Sequence, residues 1–185
     1  MTPGDGEAPL PLFTGTRFRV ERVPQPCNDG SLRDREVIIH PGSVVVLPMV
    51  NEDAVCLVEV LRVAVEGTLL ELPAGTLDRA EPPIATAARE LAEETGYRAA
   101  TIEPAGEFWM SPGILRERMH LFVARGLTPG EQALEPGELI RPRVVPWSEA
   151  VAMCLDGRIQ DAKTVAALLL VNRRRQLGHA AAGRS

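Results

Sequence analysis

Three carboxylates, Glu90, Glu93 and Glu94, crowd one short piece of residues 75–97, GTLDRAEPPIATAARELAEETGY. The piece carries the end signals of a helix: Pro83 suits the first turn, where a missing N–H costs nothing, and Gly96 suits the position just past the end. At about 100° per residue, Ile84, Ala87, Ala88, Leu91 and Thr95 would share one small apolar face. Glu90 and Glu94 lie next to each other along its border, with Glu93 one step further round. Carboxylates on adjacent turns repel one another unless a cation neutralises them. An all-oxygen set suits a hard divalent ion such as Mg²⁺ or Mn²⁺. The plainer alternative is a solvated acidic face with Arg89 beside it, and the helix alone does not choose between them.

The elements that would position this helix can be read along the chain. Residues 1–11, rich in Pro and Gly, have no periodicity and suggest a loose, unstructured start. Residues 16–23 alternate polar and apolar as a half-buried strand does. Asn28-Asp29-Gly30 is a hairpin-turn signal, and residues 32–39 read as the return strand. Two strands alone are marginal in water, so this hairpin needs support from its own domain or a partner. Residues 43–50, SVVVLPMV, form a continuous β-branched run that suits a buried strand, and 54–64 suit a second. Residues 98–107 and 117–125 read as strands flanking an aromatic loop at 108–113. Residues 127–142 make a long loop with three Glu residues, a length often functional in compact domains. A short strand at 144–147 precedes a brief helix capped by Ser148 and ending near Gly157. Asp161 would cap a longer helix over 162–177, with Arg173, Arg174 and Arg175 complementing its C-terminal dipole. The tail, 178–185, reads as unstructured.

The spacing around the carboxylates decides more than the helix does. Gly75, five residues, Glu81, seven residues, then Arg89-Glu90-Leu91-Ala92-Glu93-Glu94-Thr95-Gly96-Tyr97 is a full match to the signature of the Nudix hydrolases. The resemblance implies an α+β fold, an α/β/α sandwich with a mixed sheet between helices, preceded by an N-terminal antiparallel β-hairpin extension. It divides the chain into an extension at 1–40 and a Nudix domain at 41–185. It also implies a loop–helix–loop that binds divalent metal and hydrolyses a nucleoside diphosphate linked to another group.

Shorter segments narrow the resemblance to the ADP-ribose pyrophosphatases. These are Arg35-Glu36-Val37, His40-Pro41-Gly42-Ser43-Val44, Glu71-Leu72-Pro73-Ala74-Gly75, and Ser111-Pro112-Gly113 followed after three residues by Glu117. By that resemblance the carbonyl of Ala74, with Glu90, Glu94 and Glu93, holds Mg²⁺, or Mn²⁺ in its place. Arg89 orients the carboxylates, and Glu81 supports them or binds an outlying ion. Arg62 and Arg35 approach the diphosphate, and Glu117 faces the terminal ribose. Before Arg62 the family carries Gln-Tyr, whereas this chain has Val60-Leu61, which removes a polar and an aromatic contact. Phe18, Phe13 and Trp109 are candidates for stacking on adenine, and equally for packing. For the general base, Glu138 stands first because Glu138-Leu139-Ile140-Arg141 precedes a strand; Glu135 is second and Glu93 third.

The chemistry so implied is hydrolysis of ADP-ribose to AMP and ribose 5-phosphate. Divalent ions would neutralise the diphosphate and acidify a water, while a carboxylate takes its proton. Alternatives are a hydrolase of another nucleoside diphosphate sugar such as GDP-mannose, a catalytically silent ligand sensor, or a sanitiser of oxidised triphosphates. Family members commonly pack or swap their N-terminal strands, so a homodimer is expected. A net charge of −5 argues against a general nucleic-acid binder. Cys27, Cys56 and Cys154 are scattered and odd in number, which favours reduced thiols in a cytoplasmic protein. No run is long enough to span a membrane.

Overall fold

The computed structural model describes residues 10–182. Ten strands and three helices follow in the order β1 (Leu10–Thr14), β2 (Arg19–Pro26), β3 (Leu32–Ile39), β4 (Ser43–Asn51), β5 (Ala54–Arg62), β6 (Gly67–Glu71), β7 (Ala74–Thr76), α1 (Pro83–Thr95), β8 (Arg98–Ser111), β9 (Leu115–Thr128), β10 (Ile140–Pro146), α2 (Trp147–Asp156) and α3 (Ala162–Ala182). Their sheet runs β1-β2-β3-β9-β4-β5-β10, with β6 on β5, β7 on β4 and β8 on β9. Because β4 pairs parallel with β9 and antiparallel with β5, the sheet is mixed.

The β-branched run of β4 explains the layering. Side chains alternate across a strand, and here both faces are buried. Val45, Leu47 and Met49 point into one core with Leu57, Leu121, Met153, Ile159 and Leu168. Val44 and Val46 point into a second with Ala87, Leu91, Phe122 and Ala124. The first core lies under α2 and α3, the second under α1, so β4 sits at the centre of the α/β/α sandwich expected from the sequence. Fully burying an aliphatic side chain stabilises by about 1.5–3 kcal/mol, and a strand buried on both faces fixes its register strongly.

Several boundaries differ from the sequence reading. Leu10 and Pro11 belong to β1, which pairs with β2, so the N-terminal hairpin is a three-stranded meander; the rest of the expected loose start lies outside the described residues. The turn at Asn28-Asp29-Gly30 is present, with Gly30 at φ +80° and Ser31 bonded to Asp29. The meander joins the main sheet through a short parallel pairing of Ile38 and Ile39 with β9. The expected aromatic loop is mostly strand, because Phe108, Trp109 and Ser111 pair with β9. Ser148 caps nothing: α2 starts at Trp147, and Pro146 stands at its N-cap with no side-chain hydrogen bond. Asp161 does cap α3, accepting from the Thr164 N–H at 3.0 Å.

Helix α3 continues to Ala182, which corrects the unstructured tail for 178–182; residues 183–185 lie outside the described residues. Arg173, Arg174 and Arg175 therefore fall well before its end and do not cap its dipole. Arg175 instead lies over the Trp147 ring at 4.8 Å and donates to the Glu52 carbonyl, and Arg174 donates to the Ala105 carbonyl. Both tie α3 to the sheet.

Candidate active site

Helix α1 delivers the carboxylates, and its ends are where the sequence puts them. Pro83 opens the helix, and Gly96 closes it in the left-handed conformation at φ +76°, which glycine adopts without strain. Its buried face is rotated from the apolar one: Thr86, Ala87, Leu91, Glu94 and Thr95 are buried, while Ile84 and Ala88 are exposed. The face turned inward is partly the polar one, because Glu94 looks into the protein beside β7.

Glu94 is the most confined of the three. It is 6% exposed and accepts the Ala74 N–H at 3.2 Å. Burial, then the charges of Glu90 and Glu138, push its carboxyl up to about 8, and the Ala74 contact does not offset them. Glu90 is raised too, by burial first, with Glu93 and Glu138 adding to it and Arg89 opposing. Arg89 knits the outer part of the site together. Its Nη1 donates to Glu90 Oε1 at 2.7 Å and Glu93 Oε2 at 2.8 Å. Its Nε donates to Glu81 Oε1 at 3.2 Å, which also accepts the Thr86 hydroxyl at 3.0 Å. Burial would raise Glu81, but the Thr86 and Arg89 contacts hold it below the ordinary carboxylate range. These contacts gather Glu81, Glu90 and Glu93 around the one guanidinium of Arg89.

Among the described residues, no three acidic, His or Cys side chains already form a closed metal site. Glu90 and Glu93 each give one oxygen to Arg89 and Glu94 gives one to Ala74, so one oxygen of each is left to share. The set still fits a hard divalent ion. A buried carboxyl held at about 8 needs either a proton or a cation, and all the donors are oxygens. Gly75 completes the fit. A Cβ there would lie 2.1 Å from the Glu90 carboxyl carbon, so only glycine lets the chain pass this close. Gly75→Ala is expected to swing Glu90 aside and lower kcat/KM by about tenfold to a hundredfold, with far-UV circular dichroism unchanged; wild-type kinetics would show that Glu90 has no fixed role.

The acidic loop, residues 129–139, is fastened to the C-terminal end of α1. Ala133 N–H donates to the Glu93 carbonyl at 3.0 Å, and Gln132 Nε2 to the Glu94 carbonyl at 2.5 Å. These contacts satisfy carbonyls that a helix end leaves open. From that anchor the loop brings Glu138 and Glu135 over α1. Glu138 Oε2 accepts the Glu135 N–H at 2.8 Å, and the Glu135 carboxylate faces Arg79 at 3.5 Å. Together α1, the loop and the end of β5 enclose a cavity of about 630 Å³, whose wall includes Glu90, Glu93, Glu94, Glu138, Arg62 and Ala74.

Other expected residues lie elsewhere. Arg35 is exposed on β3, with its Nε on Gln25 at 2.6 Å, and is absent from this cavity wall. Phe18 and Phe13 face each other at 5.9 Å, both more than two-fifths exposed. Trp109 is exposed beneath Arg118, 4.6 Å from its ring. Glu117 accepts the Ser43 hydroxyl at 2.7 Å and lies 3.6 Å from His40, which directly precedes Pro41 in the wall. Arg17 and Arg79 also line the cavity; sequence reasoning missed both, though Arg79 lies inside the signature spacing. Cys27, Cys56 and Cys154 are free thiols, and among the described residues no helix is long and apolar enough to cross a membrane.

Comparison with known proteins agrees with this fold. The NUDIX domain model matches residues 39–168. The "Methanol dehydrogenase activator" of Bacillus methanolicus is 37% identical over 172 residues, covering 91% of this chain and 92% of that protein. An "ADP-ribose pyrophosphatase" of Bacillus subtilis (strain 168) is 36% identical over 151 residues, 80% of each. A "GDP-mannose pyrophosphatase" of Cronobacter sakazakii is 36% identical over 155 residues, 74% of this chain and 80% of that one. Among solved structures, an "ADP compounds hydrolase" superposes with a TM-score of 0.78 at 25% identity, covering 94% of this chain and 97% of that one.

Proposed function

The chain belongs to the NUDIX domain family, and on that footing we propose that it hydrolyses the pyrophosphate bond of ADP-ribose, giving AMP and ribose 5-phosphate. One observation carries the reading: a single cavity holds the signature carboxylates, the loop carboxylate Glu138 and the guanidinium of Arg62. Carboxylates alone would repel a diphosphate. The basic groups Arg62, Arg79 and Arg17, which line the same cavity, give its charge a counterpart.

The metal we assign is Mg²⁺, with Mn²⁺ as the alternative, and the ligands are Ala74 through its carbonyl, Glu90, Glu93 and Glu94. When bound, it supplies charge neutralisation of the diphosphate and a more acidic water. The remaining work falls to the chain. Arg62 orients the diphosphate, and Arg89 keeps Glu90 and Glu93 at a fixed spacing. Glu138 accepts a proton from the attacking water; an oxygen–phosphorus bond forms, the bridging bond breaks, and two phosphate monoesters leave. Glu138 is preferred to Glu135, whose carboxylate faces Arg79, and to Glu93, which Arg89 holds. Glu138→Gln is therefore expected to lower kcat about a hundredfold with KM changed little. An unchanged kcat would move the base to Glu135 or Glu93.

We also propose a homodimer built on the extension at 1–40, a division supported by a family match that starts at residue 39. Leu10, Leu12, Phe13, Phe18 and Leu32 are exposed on the meander, and isolated apolar strands need cover. Arg35 and Phe18, which are absent from their own cavity wall, are assigned to the substrate in the partner's cavity, and Glu117 to the terminal ribose. A cytoplasmic site fits the free thiols.

The rival substrate is GDP-mannose, favoured by the relative that carries that name. A silent sensor is disfavoured because every signature carboxylate is present. Turnover of ADP-ribose, GDP-mannose, NADH and diadenosine polyphosphates, each with Mg²⁺ and with EDTA, separates these readings. Hydrolysis of GDP-mannose in preference to ADP-ribose would replace the first by the second.

A further inference from the structure

Behind the cavity wall lies a set of charges that, Arg62 apart, the hydrolytic scheme leaves unused. Glu71, at the end of β6, is 1% exposed. Both of its oxygens are engaged by Arg62, Nε to Oε1 at 2.8 Å and Nη2 to Oε2 at 2.7 Å. Lys163 Nζ also donates to Glu71 Oε2, and its ammonium lies 3.0 Å from Asp161 Oδ1. Asp161 in turn accepts the hydroxyl of Thr164 at 2.6 Å, and that hydroxyl oxygen accepts the Leu72 N–H at 2.8 Å. The chain of contacts therefore runs from the cavity to the first turn of α3, and its two cations balance its two anions.

Two features show that this is more than filling. A guanidinium gripped in fork fashion by a carboxylate has its plane fixed, and Arg62 spends Nε and Nη2 on Glu71, leaving Nη1 for the cavity. Moreover, Lys163 is the only lysine in a chain whose other basic residues are all arginine, and it is 8% exposed. A compact ammonium with three donors can bridge two carboxylates where the flat guanidinium fork does not fit. Burial would raise Glu71, but the hydrogen bonds of Arg62 and the charge of Lys163 hold its carboxyl below the ordinary range. It is thus an anion able to hold Arg62.

We propose that Glu71 and Lys163 are positioning residues for Arg62: they fix the arginine plane toward a diphosphate in the cavity and lock it to the start of α3. This rests on the assignment of Arg62 to the diphosphate, and its test does not depend on which sugar is attached. Affinity for inorganic pyrophosphate is measured by calorimetry in EDTA for the wild type, Lys163→Gln, Arg62→Ala and the double variant, alongside KM and kcat for ADP-ribose. Lys163→Gln is expected to weaken pyrophosphate and raise KM about tenfold, with kcat within about threefold. In the Arg62→Ala background the same change should add almost nothing, because the residue acts only through Arg62. Equal effects in both backgrounds would overturn the proposal and leave Lys163 as a structural residue.

Should Lys163→Gln fail to fold, Glu71→Gln and the wild type replace it. With ¹³C-labelled lysine, Lys163 gives the sole lysine side-chain resonance. That signal should shift on adding pyrophosphate to the wild type and stay fixed in Arg62→Ala; a fixed signal in the wild type overturns the coupling. Pyrophosphate coupling without ADP-ribose turnover would sink the proposed substrate and leave this proposal standing.

Discussion

Glu94→Gln is expected to lower kcat/KM in Mg²⁺ by about a thousandfold while the protein keeps its fold. The size follows from the role. Metal stabilisation of charge in the transition state contributes several kcal/mol, and each 1.4 kcal/mol is about tenfold in rate. The fold should survive because the substitution is nearly isosteric and removes a burden. The amide oxygen of Gln can still accept the Ala74 N–H that Glu94 accepts at 3.2 Å. Its NH₂ group would face the carboxylates of Glu90 and Glu138, whose charges push Glu94 upward, so repulsion is replaced by attraction. Kinetics over a range of Mg²⁺ concentrations check the cause as well as the size: the loss should not be recovered at high Mg²⁺. Near-wild-type turnover would remove Glu94 from the metal site and with it the assignment of the helix.

Much of this site was legible in the sequence because its constraints are local. The glycine that lets the chain pass Glu90, the proline that opens α1 and the glycine that closes it all act within one segment, so spacing was enough. Arg89 and Glu81 were legible for the same reason, since they stand only eight residues apart within that segment. The inward face of α1 was misread, because an apolar count finds the face that avoids water. Here a carboxyl, Glu94, takes an interior position and Ile84 is left outside.

Contacts between distant residues left no such trace. Lys163 and Glu71 stand 92 residues apart, and nothing in either local sequence says that they meet. Strand β1 was missed for a different reason. Its residues, LPLFT, follow a Pro- and Gly-rich start and form a strand only because β2 offers a free edge. Likewise Phe108 and Trp109 read as loop beside Pro112-Gly113, but pairing with β9 extends β8 to Ser111. In each case a partner strand overrode a weak local preference.

The second large effect concerns stability. Without metal, the protein is expected to lose stability steadily as pH rises from about 5 to above 8. Glu94 titrates at about 8 in the folded protein against 4.5 as its ordinary value. Between those limits the native state holds a proton that the unfolded chain has released, so raising the pH favours unfolding. The loss is on the order of 4 to 5 kcal/mol at about 1.4 kcal/mol per unit, and Glu90, also raised, acts in the same direction. Carboxylates held low, such as Glu71 and Glu81, act the opposite way but only as pH falls below the ordinary carboxylate range, so they leave this window clear. A divalent ion binds the ionised carboxylates, so Mg²⁺ should counter the loss. Melting curves in EDTA and in Mg²⁺ at pH 5.5 and 8.5 test this. Mg²⁺ should raise Tm by about 10 °C at the higher pH, given roughly 2–4 °C per kcal/mol for a chain of this size, and by little at the lower. Glu94→Gln in EDTA should flatten the pH slope and melt above the wild type at pH 8.5. A Mg²⁺ gain equal at both pH values, or a slope that persists in the Gln variant, would mean that Glu94 is not where the proton and the metal compete.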